Sequence, residues 1–490
     1  MLFSSHVFIF VFLPATVAGF FAIARVSREG AALWLVAASL FFYGWWNPRY
    51  VPLLAGSIVF NYCAGLALAR GARGPRWRKP LLVGAVAANL ALLGYFKYAG
   101  FFAAAIADFT HNERVFGNIV LPLGISFFTF TQIAFLVDAS RAEVTSYRFT
   151  HYALFVTYFP HLIAGPVLQH SEMIPQFRNP AMYRWSSANA AVGVTIFAIG
   201  LFKKVCLADG VAPFANEAFD GIAAGGALSP MEAWLGALAY ALQLYFDFSG
   251  YSDMAVGISC LFGVRLPLNF YSPYRASSVI EFWRRWHMSL SRFLRDYLYV
   301  PLGGNRSGPA RRYLNLWVTM LLGGLWHGAG WTFVAWGALH AAMLSINHVW
   351  RAFAGTSALG GRFGVLIGGA MTFFAVVLAW VMFRAPDAST AISMWRVMFG
   401  LAGPAPDVIV DIRAVWWVAA LLYIVWRMPN TYQIMRRCEP VIMTYAVTPQ
   451  HVPGALQWRA RAPHAVAAAV IFAISVASLN DLSAFLYFQF

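Results

Sequence analysis

Charged residues are too sparse in this chain to clothe a water-facing surface. They make up 11% of its 490 residues, against 60% hydrophobic, where a soluble chain of this size carries about 25% charge. That imbalance excludes a soluble enzyme. The apolar stretches run continuously and do not alternate, which excludes an outer-membrane barrel. What remains is an all-α, polytopic integral membrane protein. Its charges are one-sided, with 35 Lys and Arg against 19 Asp and Glu, formally +16. In a bilayer such an excess marks basic cytoplasmic loops, and no nucleic-acid partner is expected. Cys63, Cys206, Cys260 and Cys438 are scattered and form no CxxC pair. Neither a disulfide framework nor a metal site is expected.

Apolar windows predict spans near 7–24, 31–46, 51–69, 81–98, 118–138, 188–206, 231–246, 313–327, 331–350, 363–383, 414–426 and 464–480. The first lacks a basic leading region and is followed at once by more spans, so it reads as a span and not a cleavable signal. No internal repeat is visible, which weakens the case for a transporter built from two related halves.

Orientation follows from Lys and Arg in short loops. The first six residues carry none, Arg25 and Arg28 follow the first span, and Arg70, Arg73, Arg76, Arg78 and Lys79 follow the third. This alternation puts the N-terminus outside and loop 70–80 in the cytoplasm. Loop 427–463 holds Arg427, Arg436, Arg437, Arg459 and Arg461 and reads as cytoplasmic. Loop 384–413 balances three Arg with three Asp and reads as outside. The last span then leaves the C-terminus outside. Between residues 149 and 312 the pattern is irregular. Irregular backbone at membrane depth must be buried in protein or line a cavity, so the site is sought there and next to it.

Three constellations could carry chemistry. In LLGGLWHGAGWTFVAWGALH (321–340), His327 lies in an uninterrupted apolar setting. The basic pair Arg311 and Arg312 marks the cytoplasmic face. From Tyr313 to Trp326 is roughly 21 Å of helix, which sets His327 well inside a core of about 30 Å. An ionisable residue at that depth is a functional candidate; the competing reading is a neutral core histidine bonded between helices. Gly323, Gly324, Gly328 and Gly330 would let backbone or a ligand come close. The second constellation is EFWRRWHMSLSRFLRDYLYVPLGGNRSGPARR (281–312). Residues 265–312 carry nine Arg against Glu281 and Asp296, a net of +7. On one helix Arg284, Arg292 and Arg295 would share a face, with Arg285 one heptad from Arg292. They could form a socket for a polyanion, or anchor to lipid headgroups. His287 stands among them. The third is YFDFSGYSDMAVG (245–257), where Asp247 and Asp253 face different directions. Each is expected to pair with an Arg or to cap a broken helix. His340 falls on a different face from His327, and residues 328–330 are expected to break the helix between them.

Taken together these segments resemble the membrane-bound O-acyltransferase family, in its bacterial polysaccharide-acetylating branch. The likeness is carried by PLGISFFTFTQIAFLVD (122–138), FPHLIAGPV (159–167), YFDFSGYSDMA (245–255), EFWRRWHMSLSRFLRDYLYVPLGGNR (281–306), LLGGLWHGAGWTFVAWGALH (321–340) and the terminal YFQF (487–490). The resemblance implies one transmembrane domain over 1–490, with N-terminal spans (1–148), catalytic core segments (149–350) and C-terminal spans (351–490). It implies a ring of about 11–13 transmembrane helices, some broken or re-entrant, around a central catalytic funnel. The family's near-invariant intramembrane histidine falls on His327, and a second polar position falls on His287. The implied activity is O-acetyl transfer to an exopolysaccharide such as alginate, in the bacterial inner membrane. Acetyl-CoA is the donor substrate, no cofactor is permanently bound, and periplasmic acetyl-handling proteins are the partners. From charge, and not from the resemblance, Arg284, Arg285, Arg292 and Arg295 are expected to hold the phosphates of CoA. Rival acceptors are cellulose, peptidoglycan and teichoic acid, and the rival class is a transporter or lipid flippase.

Overall fold

The structure, a computed structural model, describes residues 1–69, 75–110, 119–141, 147–163, 165–354, 361–403, 410–443, 445, 452–479 and 485–486. The terminal YFQF and Arg70 and Arg73 lie outside the described residues. The described residues are almost entirely helical, and their one strand pair is Leu266–Pro267 parallel to Val441–Ile442. Four helical runs are long and apolar enough to cross a membrane: Pro48–Ala69, Arg76–Ala107, Ser187–Ala223 and Phe363–Arg384. Shorter apolar helices cover Phe8–Ala24, Ile125–Ser140 and Ala462–Ala477. The chain is therefore an all-α polytopic membrane protein. It forms two compact units, the first made of Met1–Phe197, Ser252–Pro267 and Pro440–Ile442, the second of Ala198–Tyr251, Leu268–Glu439 and Met443–Phe490.

In the first unit α1 (Leu13–Ala24) follows a wide π-type turn at Phe8–Phe12 and packs on α2 (Arg28–Gly44). Then come α3 (Val51–Ala69), α4 (Pro75–Leu93), α5 (Ala99–Thr110), α6 (Ile125–Ser140), α7 (Phe149–Thr157), α8 (Phe159–Leu162), α9 (His170–Arg178) and the start of α10 (Ser187–Phe202). The expected span at 118–138 becomes helical only at Ile125, because Pro122 and the left-handed Gly124 (φ 71°) hold the chain in a turn. Polar side chains tie these apolar helices together. Asn61 of α3 and Asn89 of α4 exchange amide hydrogen bonds of 3.1 and 2.7 Å. Gln132 of α6 donates to Ser57 of α3 at 2.9 Å. Where lipid replaces water, such bonds and close packing drive helix association.

The second unit takes the rest of α10, a π-type turn at Lys203–Ala208, α11 (Asp209–Ala223) and most of α12 (Pro230–Leu261). It continues through α13 (Val279–Trp283), α14 (Met288–Leu294), α15 (Gly308–His327), α16 (Trp331–Ala354), α17 (Gly361–Arg384), α18 (Ala388–Met398), α19 (Ile412–Arg427), α20 (Thr431–Ile434) and α21 (Ala462–Ala477). Helix α12 corrects the expected break. It runs unbroken past Asp247 and Asp253, and Asp247 pairs with a lysine, not an arginine. Lys204 Nζ lies 2.8 Å from Asp247 Oδ1 and 2.6 Å from Asp209 Oδ1. The other Asp247 oxygen accepts the Leu486 N–H at 3.1 Å. One buried lysine thus compensates the carboxylate, and the helix needs no cap there.

Helices α15 and α16 form the hairpin that carries His327. Residues 328–330 make the turn, as expected, and the two legs touch backbone to backbone. A Cβ at Gly324 would strike the carbonyl of Phe333, and one at Gly337 the carbonyl of Met320. Gly324 and Gly337 therefore serve helix packing. Gly337→Val should destabilise the hairpin by about 1–3 kcal/mol, the usual cost of overpacking. Gly323→Ala meets only the flexible Leu294 Cδ1 at 3.3 Å and should melt near wild type. Melting of the detergent-purified protein checks both, and equal melting of Gly337→Val and wild type would refute the close-packed hairpin.

Candidate active site

His327 ends α15 and is buried. Its ring packs against those of Trp326, Trp336 and Phe383, with centroids 5.0, 5.1 and 5.4 Å away. The Trp336 indole stacks on that of Trp380 at 5.7 Å and 18°. Aromatic walls on several sides leave the imidazole in a dry, rigid setting, in which electrostatic interactions gain strength.

His287 occupies a turn between α13 and α14, with φ 41° and ψ 54°. A left-handed conformation costs a non-glycine residue about 1–3 kcal/mol and collects at functional sites. Backbone bonds on both sides impose it. Tyr271 N–H donates to the Arg285 carbonyl at 3.0 Å, and Met288 N–H to the Asn269 carbonyl at 2.9 Å. The imidazole is fixed as well. Its Nδ1 lies 3.1 Å from Asn269 Oδ1, which also accepts from Ser289 Oγ at 2.8 Å and from Ser289 N–H at 3.4 Å. Because Asn269 Oδ1 is the acceptor, Nδ1 carries the proton and Nε2 holds the lone pair. Nε2 is buried and has no hydrogen-bond partner among the described residues.

The two histidines meet through Trp326, whose indole centroid lies 6.3 Å from that of His287 and 5.0 Å from that of His327. Phe248 also packs against His287, with ring centroids 4.7 Å apart. His340, set aside in the sequence, stands closer than its helical phase implied. Its ring lies 4.7 Å from that of Trp336, and its Nδ1 accepts from Trp283 Nε1 at 3.3 Å. The break at residues 328–330 reverses the chain, so helical phase could not relate His340 to His327.

The four arginines do not share one helical face, because the turn at His287 interrupts the helix. Arg285 is buried and pairs with Glu281. Glu281 also accepts the Ser277 N–H and hydroxyl, each at 2.7 Å. Arg284 and Arg295 are exposed. Arg295 Nε bonds Asp296 at 2.6 Å, and its guanidinium lies 5.3 Å from the ring centroid of Tyr445. Burial pushes the Tyr445 phenol up, while Arg295, Arg292 and Arg284 all act to pull it down. Those three therefore act on the same phenol, Arg295 while paired with Asp296, and Arg285 pairs with Glu281. Asn269, Trp336, Phe383 and Tyr445 were not read from the sequence. Asn269 offered one signal, a lone amide in the apolar run LPLNF. The aromatics offered none, because a lining Trp or Phe looks the same as one facing lipid.

The chain is similar to known proteins over most of its length. The model of the MBOAT, membrane-bound O-acyltransferase family, matches residues 88–385. The chain is 44% identical over 439 residues to a peptidoglycan O-acetyltransferase of Helicobacter pylori, covering 82% of this chain and 80% of that one. It is 39% identical over 507 aligned positions to the probable alginate O-acetylase AlgI of Pseudomonas putida, covering 100% of both. A teichoic acid D-alanyltransferase of Streptococcus thermophilus matches at 27% over 241 residues, 46% of this chain and 57% of that one.

Proposed function

The chain belongs to the membrane-bound O-acyltransferase family, and from that premise we propose what it acylates and how. It takes acetyl from cytosolic acetyl-CoA and moves it across the bacterial inner membrane to a hydroxyl of an alginate-like exopolysaccharide, working with periplasmic acetyl-handling proteins. The end-to-end match to an alginate O-acetylase supports that acceptor. The observation that carries the mechanism is the pair of buried histidines, His287 and His327, packed on one indole.

In this mechanism His327 takes the proton from the acceptor hydroxyl as its oxygen attacks the thioester carbonyl. The C–S bond then breaks, and the imidazolium returns the proton to the departing CoA thiolate. Charge builds on the carbonyl oxygen and needs a donor. The Trp336 indole N–H, buried against His327 and without a hydrogen-bond partner among the described residues, is suited to that task. His287, with Asn269 holding its Nδ1–H, presents Nε2 to position the acceptor hydroxyl.

Peptidoglycan is the second acceptor to weigh, because its O-acetyltransferase matches at 44% identity. Acetyl-ester content of both polymers from a deletion strain decides between them. Ester loss from the exopolysaccharide supports the first reading, and loss confined to peptidoglycan replaces it with the second.

The arginines divide by this account. Arg284→Gln with Arg295→Gln should raise KM for acetyl-CoA about tenfold, more at low ionic strength, where phosphate contacts are least screened. Arg285→Gln should instead lower the melting temperature, since it leaves Glu281 half-buried without its cation. An unchanged KM in the first variant would make those side chains headgroup anchors. For orientation, the Lys and Arg alternation places both termini in the periplasm. A cysteine replacing Arg76 should then resist labelling from the periplasmic side, and labelling there would reverse the topology.

A further inference from the structure

His340 has no role in the chemistry described above, but it touches both elements that carry that chemistry. It sits one helical turn after Trp336 on α16, so the two side chains share a face. Their rings meet edge to face, with centroids 4.7 Å apart at 63°. The same Trp336 indole packs against His327 at 5.1 Å and 83°. His340 also stacks on Phe282 at 6.2 Å and 13°, and meets the Trp283 ring at 5.1 Å and 79°. Phe282 and Trp283 belong to α13, which leads into the turn at His287. A chain of ring contacts therefore runs from α13 through His340 and Trp336 to His327, all within the second unit.

One hydrogen bond fixes the middle of that chain. Trp283 Nε1 donates to His340 Nδ1 at 3.3 Å. An indole nitrogen can only donate, so Nδ1 holds the lone pair and Nε2 carries the proton. The side chain is fully buried, at 0% exposure, so water cannot replace the Trp283 donor from outside. The bond matters because an imidazole is only loosely held by its own outer torsion. With Nδ1 anchored, the ring presents a fixed wall to Trp336. Without the anchor, the imidazole can turn and the indole loses that wall. Catalysis amplifies such a change, because a donor to a developing oxyanion must lie about 2.7–3.1 Å from it. A misplacement of about 1 Å can cost about 10²-fold in rate. We propose that His340, anchored by Trp283, is a positioning residue that fixes the Trp336 indole against His327 for acyl transfer. The proposal rests on the acetyl-transfer reading and on the donor role given there to Trp336.

Steady-state acetyl transfer tests it, in inner-membrane vesicles that hold the full-length variant and its periplasmic partners, with melting of each detergent-purified variant alongside. Trp283→Phe keeps a ring and removes the donor. His340→Phe keeps a ring and removes the acceptor. Each should lower kcat about tenfold and leave KM for acetyl-CoA unchanged. The double variant should lose no more than either single one, because both cut the same bond. If His340→Phe melts low, Trp283→Phe carries the test, because Trp283 is only partly buried. A kcat near wild type in Trp283→Phe, with His327→Gln inactive, would overturn the proposal and leave the acetyl-transfer reading standing. A loss that falls on KM for acetyl-CoA, or losses that add in the double variant, would overturn it too. Turnover retained by His327→Gln would overturn the acetyl-transfer reading and this proposal with it.

Discussion

Replacing His327 with Gln is expected to reduce acetyl transfer by about 10²–10⁴-fold, the usual worth of a positioned general base. Glutamine is close to histidine in volume and keeps hydrogen bonding, so the packing against Trp326, Trp336 and Phe383 should survive. Insertion and melting should stay near wild type, and the loss should fall on kcat with KM for acetyl-CoA little changed. An amide cannot take the proton of the attacking hydroxyl, and that is the property the substitution removes. His327→Ala should lose as much activity, with some stability lost to the cavity it leaves. Near-wild-type turnover of His327→Gln at normal expression would make the residue structural and move the chemistry to His287.

The second large effect is expected at His287. His287→Ala should lose about 10²-fold in turnover, a clear but less complete loss than at His327. Asn269→Ala should reproduce part of it. Without Asn269 Oδ1 the proton of Nδ1 has no fixed acceptor, and the ring can turn or change tautomer. The pair separates positioning from folding. Both variants should lower kcat, and Asn269→Ala should spare the KM for acetyl-CoA because its amide serves the turn and ring of His287. If Asn269→Ala instead lowers melting and leaves kcat unchanged, the amide supports the turn at His287 and not the chemistry.

Much of the helical plan was legible because each helix that must sit in lipid announces itself by apolar run length. The hairpin of α15 and α16 could be read from the glycines at residues 328–330 and from the arginines that precede it. The site was legible in its residue types and not in its geometry. Periodicity assumes a continuous helix, and the left-handed backbone of His287 breaks that assumption without a glycine or proline to signal it. Arg284, Arg292 and Arg295 were consequently placed on one helical face, with Arg285 one heptad from Arg292, while the turn at His287 separates Arg284 and Arg285 from the other two, Arg285 pairs with Glu281 and Arg295 lies over Tyr445. Asp247 shows the opposite error. Its charge in an apolar run argued for a broken helix, but its compensating cation, Lys204, lies 43 residues earlier in the chain. No local pattern encodes a pairing over that separation. Asn61 and Asn89 were passed over for the same reason, since the bonds that join them bridge two helices 28 residues apart in the chain.

The central claim is that acetyl passes from acetyl-CoA on one side of the membrane to a hydroxyl on the other through the site at His327. The direct measurement uses inverted inner-membrane vesicles from a deletion strain that expresses either the wild-type chain or His327→Gln, with periplasmic partners enclosed. Acetyl-labelled acetyl-CoA is supplied only outside the vesicles, on the original cytoplasmic face, and ester-linked label is counted on polymer in the lumen. The account predicts lumenal ester label with the wild type and background with His327→Gln. Equal label with both chains, or none with an active wild type, would contradict it.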